Sequence, residues 1–112
     1  MCNNSMTITY DDVVKARETQ SKVIRKTTLE FSETFSKICG ANVYLKNEYE
    51  QKTGSFKIRG AYYKIKSLTD EEKSNGVVAA SAGNHSQGVA FASHIENIPC
   101  TIVMPKTASP AK

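Results

Sequence analysis

The stretch Val77-Val78-Ala79-Ala80-Ser81-Ala82-Gly83-Asn84-His85-Ser86-Gln87-Gly88 runs from four apolar residues into a series of small and polar ones, without a single Asp, Glu, Lys or Arg. A short apolar run bounded by a turn signal reads as a buried strand, so Val77 to Ala80 is predicted to be one. Ser81 onward then turns into a helix that continues through Phe91 to about Ile95. Such a strand–turn–helix junction gathers free backbone N–H groups and the positive end of a helix dipole at one point, where a phosphate or a carboxylate binds. Ala82-Gly83 lets a ligand come close to the main chain. With Thr101-Ile102-Val103-Met104 as a second strand, the segment makes a βαβ unit whose parallel strands are joined by a right-handed crossover.

Upstream lies Ser55-Phe56-Lys57-Ile58-Arg59-Gly60-Ala61. Ser55 reads as a helix N-cap, and Ile58, Ala61, Tyr62, Ile65 and Leu68 recur as one buried stripe. Lys57 thus falls in the first turn, where the dipole opposes an ammonium and favours an amine of lowered pKa. An amine of that kind attacks carbonyl groups.

The remaining chain supplies a frame of helices and strands. Residues Met1 to about Ile8 are polar and predicted to fray. Thr9-x-x-Asp12 is a capping-box start for an outer helix through Gln20. Ser32 caps a short helix carrying Phe35 and Ile38 on one face, Gly40 ends it, and Asn42 to Lys46 form a strand. A polar loop, Asn47 to Gly54, delivers the chain to Lys57. Thr69-Asp70-Glu71-Glu72 opens another capped helix, which Gly76 stops.

Composition narrows the possible functions. The 112 residues are 39% hydrophobic and 23% charged, which suits one small domain but not two complete ones. The formal charge of +4 comes from basic residues scattered through every segment, so no nucleic-acid footprint is expected. Cys2, Cys39 and Cys100 lack metal or redox spacing and read as free thiols. His85 and His94 are nine positions apart with no acid or thiol in register, so no metal site is expected. Neither a signal-peptide pattern nor an apolar run of membrane-spanning length is seen, and the expected location is cytoplasmic, without membrane contact.

In this order, Tyr44-Leu45-Lys46, Thr53 to Ala61, Leu68-Thr69-Asp70, Gly76-Val77-Val78, Ser81-Ala82-Gly83-Asn84-His85 and Val103-Met104-Pro105-Lys106 resemble the pyridoxal-phosphate enzymes of the tryptophan-synthase-β type. Within them the chain is most similar to catabolic threonine dehydratases. The resemblance implies an α/β fold of the type II class, incomplete here, with a parallel sheet, flanking helices and the βαβ unit toward the C-terminus. It also implies that residues 1–68 begin the large domain, carrying the Schiff-base lysine, and that 69–112 begin the small domain, carrying the Ser81–His85 loop.

Pyridoxal phosphate is the implied cofactor. Lys57 resembles the catalytic lysine, Phe56 the aromatic residue packed on the cofactor ring, and Asn84 the amide bonded to its phenolic oxygen. Ser81, Ala82, Gly83, Asn84 and His85 resemble the loop that receives the substrate α-carboxylate. Read without the resemblance, Phe56 is equally a core residue and Asn84 an N-cap. The implied reaction converts L-threonine, or L-serine, to 2-oxobutanoate or pyruvate and ammonia, with an amino acid as the small-molecule partner and a homo-oligomer for the complete enzyme. Serine racemase is the alternative, but its relatives tend to carry a second serine where this chain has Ala82, and a methyl group moves no proton. Family members also usually carry proline at the position of Thr28, so a looser loop is expected there. The family's phosphate cradle and its contact to the pyridine nitrogen correspond to sequence beyond Lys112. The chain is therefore expected to be an N-terminal portion, inactive and marginally folded by itself, or a truncated, non-catalytic remnant.

Overall fold

Thr9 opens the first element of the computed structural model, which describes residues 7–110. Most of the predicted fraying segment, residues 1–6 with Cys2, lies outside the described residues; Thr7 and Ile8 have no regular structure. The Thr9 side chain accepts from Asp12 N while Asp12 Oδ2 accepts from Thr9 N at 2.8 Å, the reciprocal pair expected of a capping box. The helix so started, α1, spans Tyr10–Gln20 and buries only Gln20 along its length, in keeping with an outer layer.

A strand that the sequence did not announce comes next. β1, Leu29–Phe31, pairs antiparallel with β2, Tyr44–Lys46, in the register Leu29 to Lys46, Glu30 to Leu45 and Phe31 to Tyr44. Between them α2, Glu33–Cys39, is capped by Ser32, whose hydroxyl accepts from Phe35 N, and ends at Gly40 in the left-handed region at φ 64°. A single 3₁₀ turn, Glu48–Glu50, interrupts the predicted polar loop.

That turn binds Thr28, where a looser loop is expected. Thr28 N and Oγ1 both donate to the Glu50 carboxylate, at 3.0 Å for the amide, and Asn47 N donates to Thr28 O at 3.0 Å. A proline at this position would forgo the amide bond.

The core forms between α3, Lys57–Lys66, and α5, Asn84–Ile95, which share more contacts than any other two elements. Ile58, Ala61, Tyr62 and Ile65 of α3 meet Val89 and Ala92 of α5 and Ile98 beyond it. Ile58 is 0% exposed. Burying an aliphatic side chain of this size contributes about 1.5–3 kcal/mol. Tyr62 Oη donates to Glu96 Oε1 at 2.7 Å and Lys66 Nζ to Glu96 Oε2 at 2.8 Å, joining the two helices at their far end.

Between these helices, α4, Asp70–Asn75, has the predicted capping box of Thr69 and Glu72 and stops at Gly76. Gly76 has φ 79°, and a Cβ there would lie 2.7 Å from Pro99 O, so both its conformation and its surroundings require glycine. β3, Val77–Ala80, then pairs parallel with β4, Cys100–Val103, across α5, Val77 standing opposite Cys100 and Ala80 opposite Val103. α5 ends with Asn97 at φ 55°, Asn97 N donating to His94 O and Ile98 N to Ser93 O. These are the two bonds of a Schellman turn, with Ile98 buried as its apolar contact.

Candidate active site

Lys57 is the first residue of α3, and its side chain is exposed. The N-cap is Phe56 rather than Ser55, because Phe56 already has helical dihedrals, φ −66° and ψ −13°. Ser55 is buried one position earlier, and its Oγ accepts a long bond from Lys57 N at 3.4 Å. Phe56 is 58% exposed, which removes its reading as a core residue. Lys57 Nζ lies 5.2 Å from the centroid of the Phe56 ring, within cation–π range. Among the described residues no carboxylate forms an ion pair with Lys57.

The second motif meets the first through Gly88. A methyl group on Gly88 would come within 3.2 Å of Ile58 N and of the Lys57 carbonyl carbon and oxygen. The main chain bearing Lys57 thus rests directly on α5. Asn84 stands one turn before Gly88 and hence on the same face of the helix, so the beginning of α3 adjoins the first turn of α5. An isolated glycine inside a helical pattern is a known sign of close approach, and it was the sequence signal that could have located this contact.

The turn between β3 and α5 is organised by its own hydroxyls. Ser81 N donates to Val103 O at 3.0 Å, Ser81 Oγ accepts from Gly83 N at 3.3 Å, and Ser86 Oγ donates to Gly83 O at 2.6 Å. Gly83 is the N-cap, without a side chain to close the helix start, and Asn84 is the first helical residue, so its N-cap reading is corrected. Ser81, Ala82 and Gly83 are half-buried while Asn84 and His85 are exposed. His85 lines a groove of about 270 Å³ with Ala61 and Ile65 of α3 and Val77 and Ala79 of β3. His94 is exposed in the last turn of α5.

The helix bearing Lys57 is also fixed from its other side. Arg59 Nε and Nη2 donate to the two oxygens of Glu48 at 2.9 and 2.8 Å, and Thr27 Oγ1 donates to Glu48 Oε1 at 2.7 Å. The Arg59 bond holds the Glu48 carboxyl down at about 2; burial works against it, and the Thr27 bond and the charges of Arg59 and Lys46 assist. This link, eleven residues apart in sequence, was not foreseen.

Because the folded carboxyl is more acidic than the unfolded one, its contribution is complete above the ordinary value of 4.5 and is lost as the pH falls toward 2. With Arg59 partly exposed and screened, the loss amounts to about 2 kcal/mol. Urea midpoints measured between pH 6 and pH 2 are expected to fall less steeply in Glu48→Gln than in the parent. Equal slopes would mean that the pair adds nothing to stability.

Residues 20–112 match the family model described as pyridoxal-phosphate dependent enzyme, across both motifs and the elements that join them. The chain belongs to that family. The L-threonine ammonia-lyase of Thermotoga maritima is 54% identical over 105 residues, which is 94% of this chain and 26% of that enzyme. The catabolic L-threonine dehydratase TdcB of Escherichia coli K12 is 47% identical over 105 residues, covering 94% of this chain and 32% of the dehydratase. Among solved structures, serine racemase from Dictyostelium discoideum superposes with a TM-score of 0.86 at 40% identity over 93% of this chain and 34% of its own. The chain therefore spans about a quarter to a third of the relatives it matches, and its fold is the corresponding part of a tryptophan-synthase-β-like α/β architecture.

Pyridoxal phosphate is the cofactor of this pyridoxal-phosphate dependent family, and the residues present suit such a group. An amine with no ion pair among the described residues, an exposed aromatic ring beside it, a glycine that keeps side chains off the intervening main chain, and a helix start without a side-chain cap lie on adjoining elements. An aromatic aldehyde bearing negative charge would find a complement for each part of itself there.

Proposed function

We propose that this chain forms the N-terminal part of a threonine dehydratase that also accepts serine, with Lys57 as its catalytic residue. On this reading residues 1–68 begin the larger domain and 69–112 the smaller. Lys57 and Phe56 would hold the cofactor, with the Asn84 amide at its ring oxygen. When bound, the cofactor supplies an electron sink that makes the substrate's Cα–H acidic. Lys57 Nζ takes that proton, acting at the tip of an exposed side chain whose main chain is fixed. Main-chain N–H groups of the Ser81–His85 turn other than those of Ser81 and Gly83, which are already bonded, receive the α-carboxylate at the positive end of α5. His85 serves binding rather than proton transfer. In sum, L-threonine loses its Cα proton and β-hydroxyl as water, and one water is then taken up to release 2-oxobutanoate and ammonia.

The observation that carries this reading is the close approach at Gly88, which joins the lysine to the anion-binding turn. Its test is to incubate full-length protein containing this segment with pyridoxal phosphate, reduce with borohydride and map the peptides. The label is expected chiefly on Lys57. Label spread over the exposed lysines with none on Lys57 would overturn the assignment.

Likeness to serine racemase supports a second reading, in which the same site inverts Cα instead of eliminating water. Ala82 argues against it. In the enzyme containing this segment, Ala82→Ser is expected to raise the ratio of D-serine to pyruvate formed from L-serine, because the new hydroxyl offers a proton donor. An unchanged ratio would place the choice of face in other residues.

A further inference from the structure

We infer that a cavity on the side of α3 opposite Lys57 is a binding site for a small polyvalent anion. The cavity, about 460 Å³, lies between the end of α1, the segment that follows it and the start of α3, and is within the size range of small-molecule sites. Its lining gathers Arg17, Arg25, Lys26, Lys46 and Arg59, and no acidic residue. Arg59 is two residues beyond Lys57, and two helical steps turn a side chain by about 200°, so this site is separate from the proposed active site.

Part of this charge is already engaged. Arg59 bonds Glu48, Arg25 Nη1 donates to Glu50 O at 3.2 Å, and Lys46 Nζ donates to Thr27 O at 2.6 Å. Among the described residues Arg17 and Lys26 have no such partner. The Glu48 carboxylate pairs with Arg59 and also faces Lys46, whereas Arg17, Arg25 and Lys26 have no carboxylate partner among the described residues, so their convergence favours an anion.

Gln20, 7% exposed as a residue, lines the same cavity, and its amide NH₂ can donate to a ligand oxygen there. The expected ligand is a compact species with two or more anionic oxygens, phosphate-bearing or polycarboxylate, held by guanidinium forks and one amide. This inference does not depend on the chemistry proposed at Lys57.

Isotopically labelled full-length protein containing this segment should be titrated by NMR with pyrophosphate, with citrate and with sodium chloride at matched ionic strength. Saturable shifts at Gln20, Arg25 and Lys26 are expected with at least one polyanion and none with chloride; the better of pyrophosphate and citrate identifies the source of the anionic oxygens. The double variant Arg17→Gln/Lys26→Gln should weaken binding by about tenfold or more, since two charge-assisted contacts are lost. Lys37→Gln, at a surface pair with Glu33 on α2, should leave it unchanged. Gln20→Ala should weaken binding in the same direction, and melting curves establish that each variant is folded. Shifts that do not saturate, that chloride reproduces, or that Lys37→Gln diminishes as much as the double variant would overturn the site.

Discussion

Lys57→Ala is expected to abolish selective capture of pyridoxal phosphate and to lower threonine turnover by about a thousandfold or more in any preparation of the enzyme that contains this segment, while stability stays within about 0.5 kcal/mol of the parent. The two halves of this expectation have separate causes. On the proposed role, the variant loses both the amine that holds the cofactor and the base that takes the Cα proton. Stability is spared because the side chain is exposed and has no ion pair among the described residues. Its alanine also favours a helix more than lysine does. Thermal melting beside borohydride labelling distinguishes the outcomes. Parent-like labelling of the remaining lysines with undiminished turnover would remove Lys57 from the chemistry.

Gly88→Val should damage both properties together. The first added carbon already lies 3.2 Å from three main-chain atoms of Lys57 and Ile58, none of which rotates away as a side-chain end can. Two further methyl groups force α3 and α5 apart, uncovering the Ile58 and Val89 contact at the centre of the core. Overpacking of this kind costs about 3 kcal/mol. Gly88→Ala is the informative control. Its gain in helix propensity, about 1 kcal/mol, offsets a milder crowding, so it should be close to neutral. A valine variant with the parent's urea midpoint would mean that the two helices are not held at this spacing.

The parts legible in the sequence were those with local causes. The capping boxes at Thr9 and Thr69, the Ser32 cap and the Gly40 and Gly76 stops all depend on residues within one turn, and each appears where its pattern indicated. β3 was bounded correctly for the same reason, a short apolar run between Gly76 and Ser81. β1 was missed because Leu29-Glu30-Phe31 is three residues long and exposed throughout, its strand character coming from a partner fifteen or so positions away. Ser55 was misread as an N-cap because it has the preferred side chain, whereas Phe56 had already entered the helix.

At the candidate site, residue types were legible but their arrangement was not. The order of the two motifs supported the resemblance, and the resemblance in turn supported Lys57, Phe56 and Asn84 as a set. Nothing local indicated that Glu48 would bind Arg59, or that Lys26 and Arg17 would converge with Lys46 on one cavity. Tertiary packing made neighbours of them.

The main chain of Lys57 is pinned on one side by Gly88 and on the other by the Arg59–Glu48 pair, while its four-carbon stem remains exposed. An amine tethered in this way sweeps a hemisphere only a few ångströms in radius about a fixed origin, an effective concentration on the order of molar for any carbonyl brought inside it. Rigidity at the root and freedom at the tip therefore allow one nitrogen to meet two different electrophilic or acidic centres in turn, without any rearrangement of the helices that carry it.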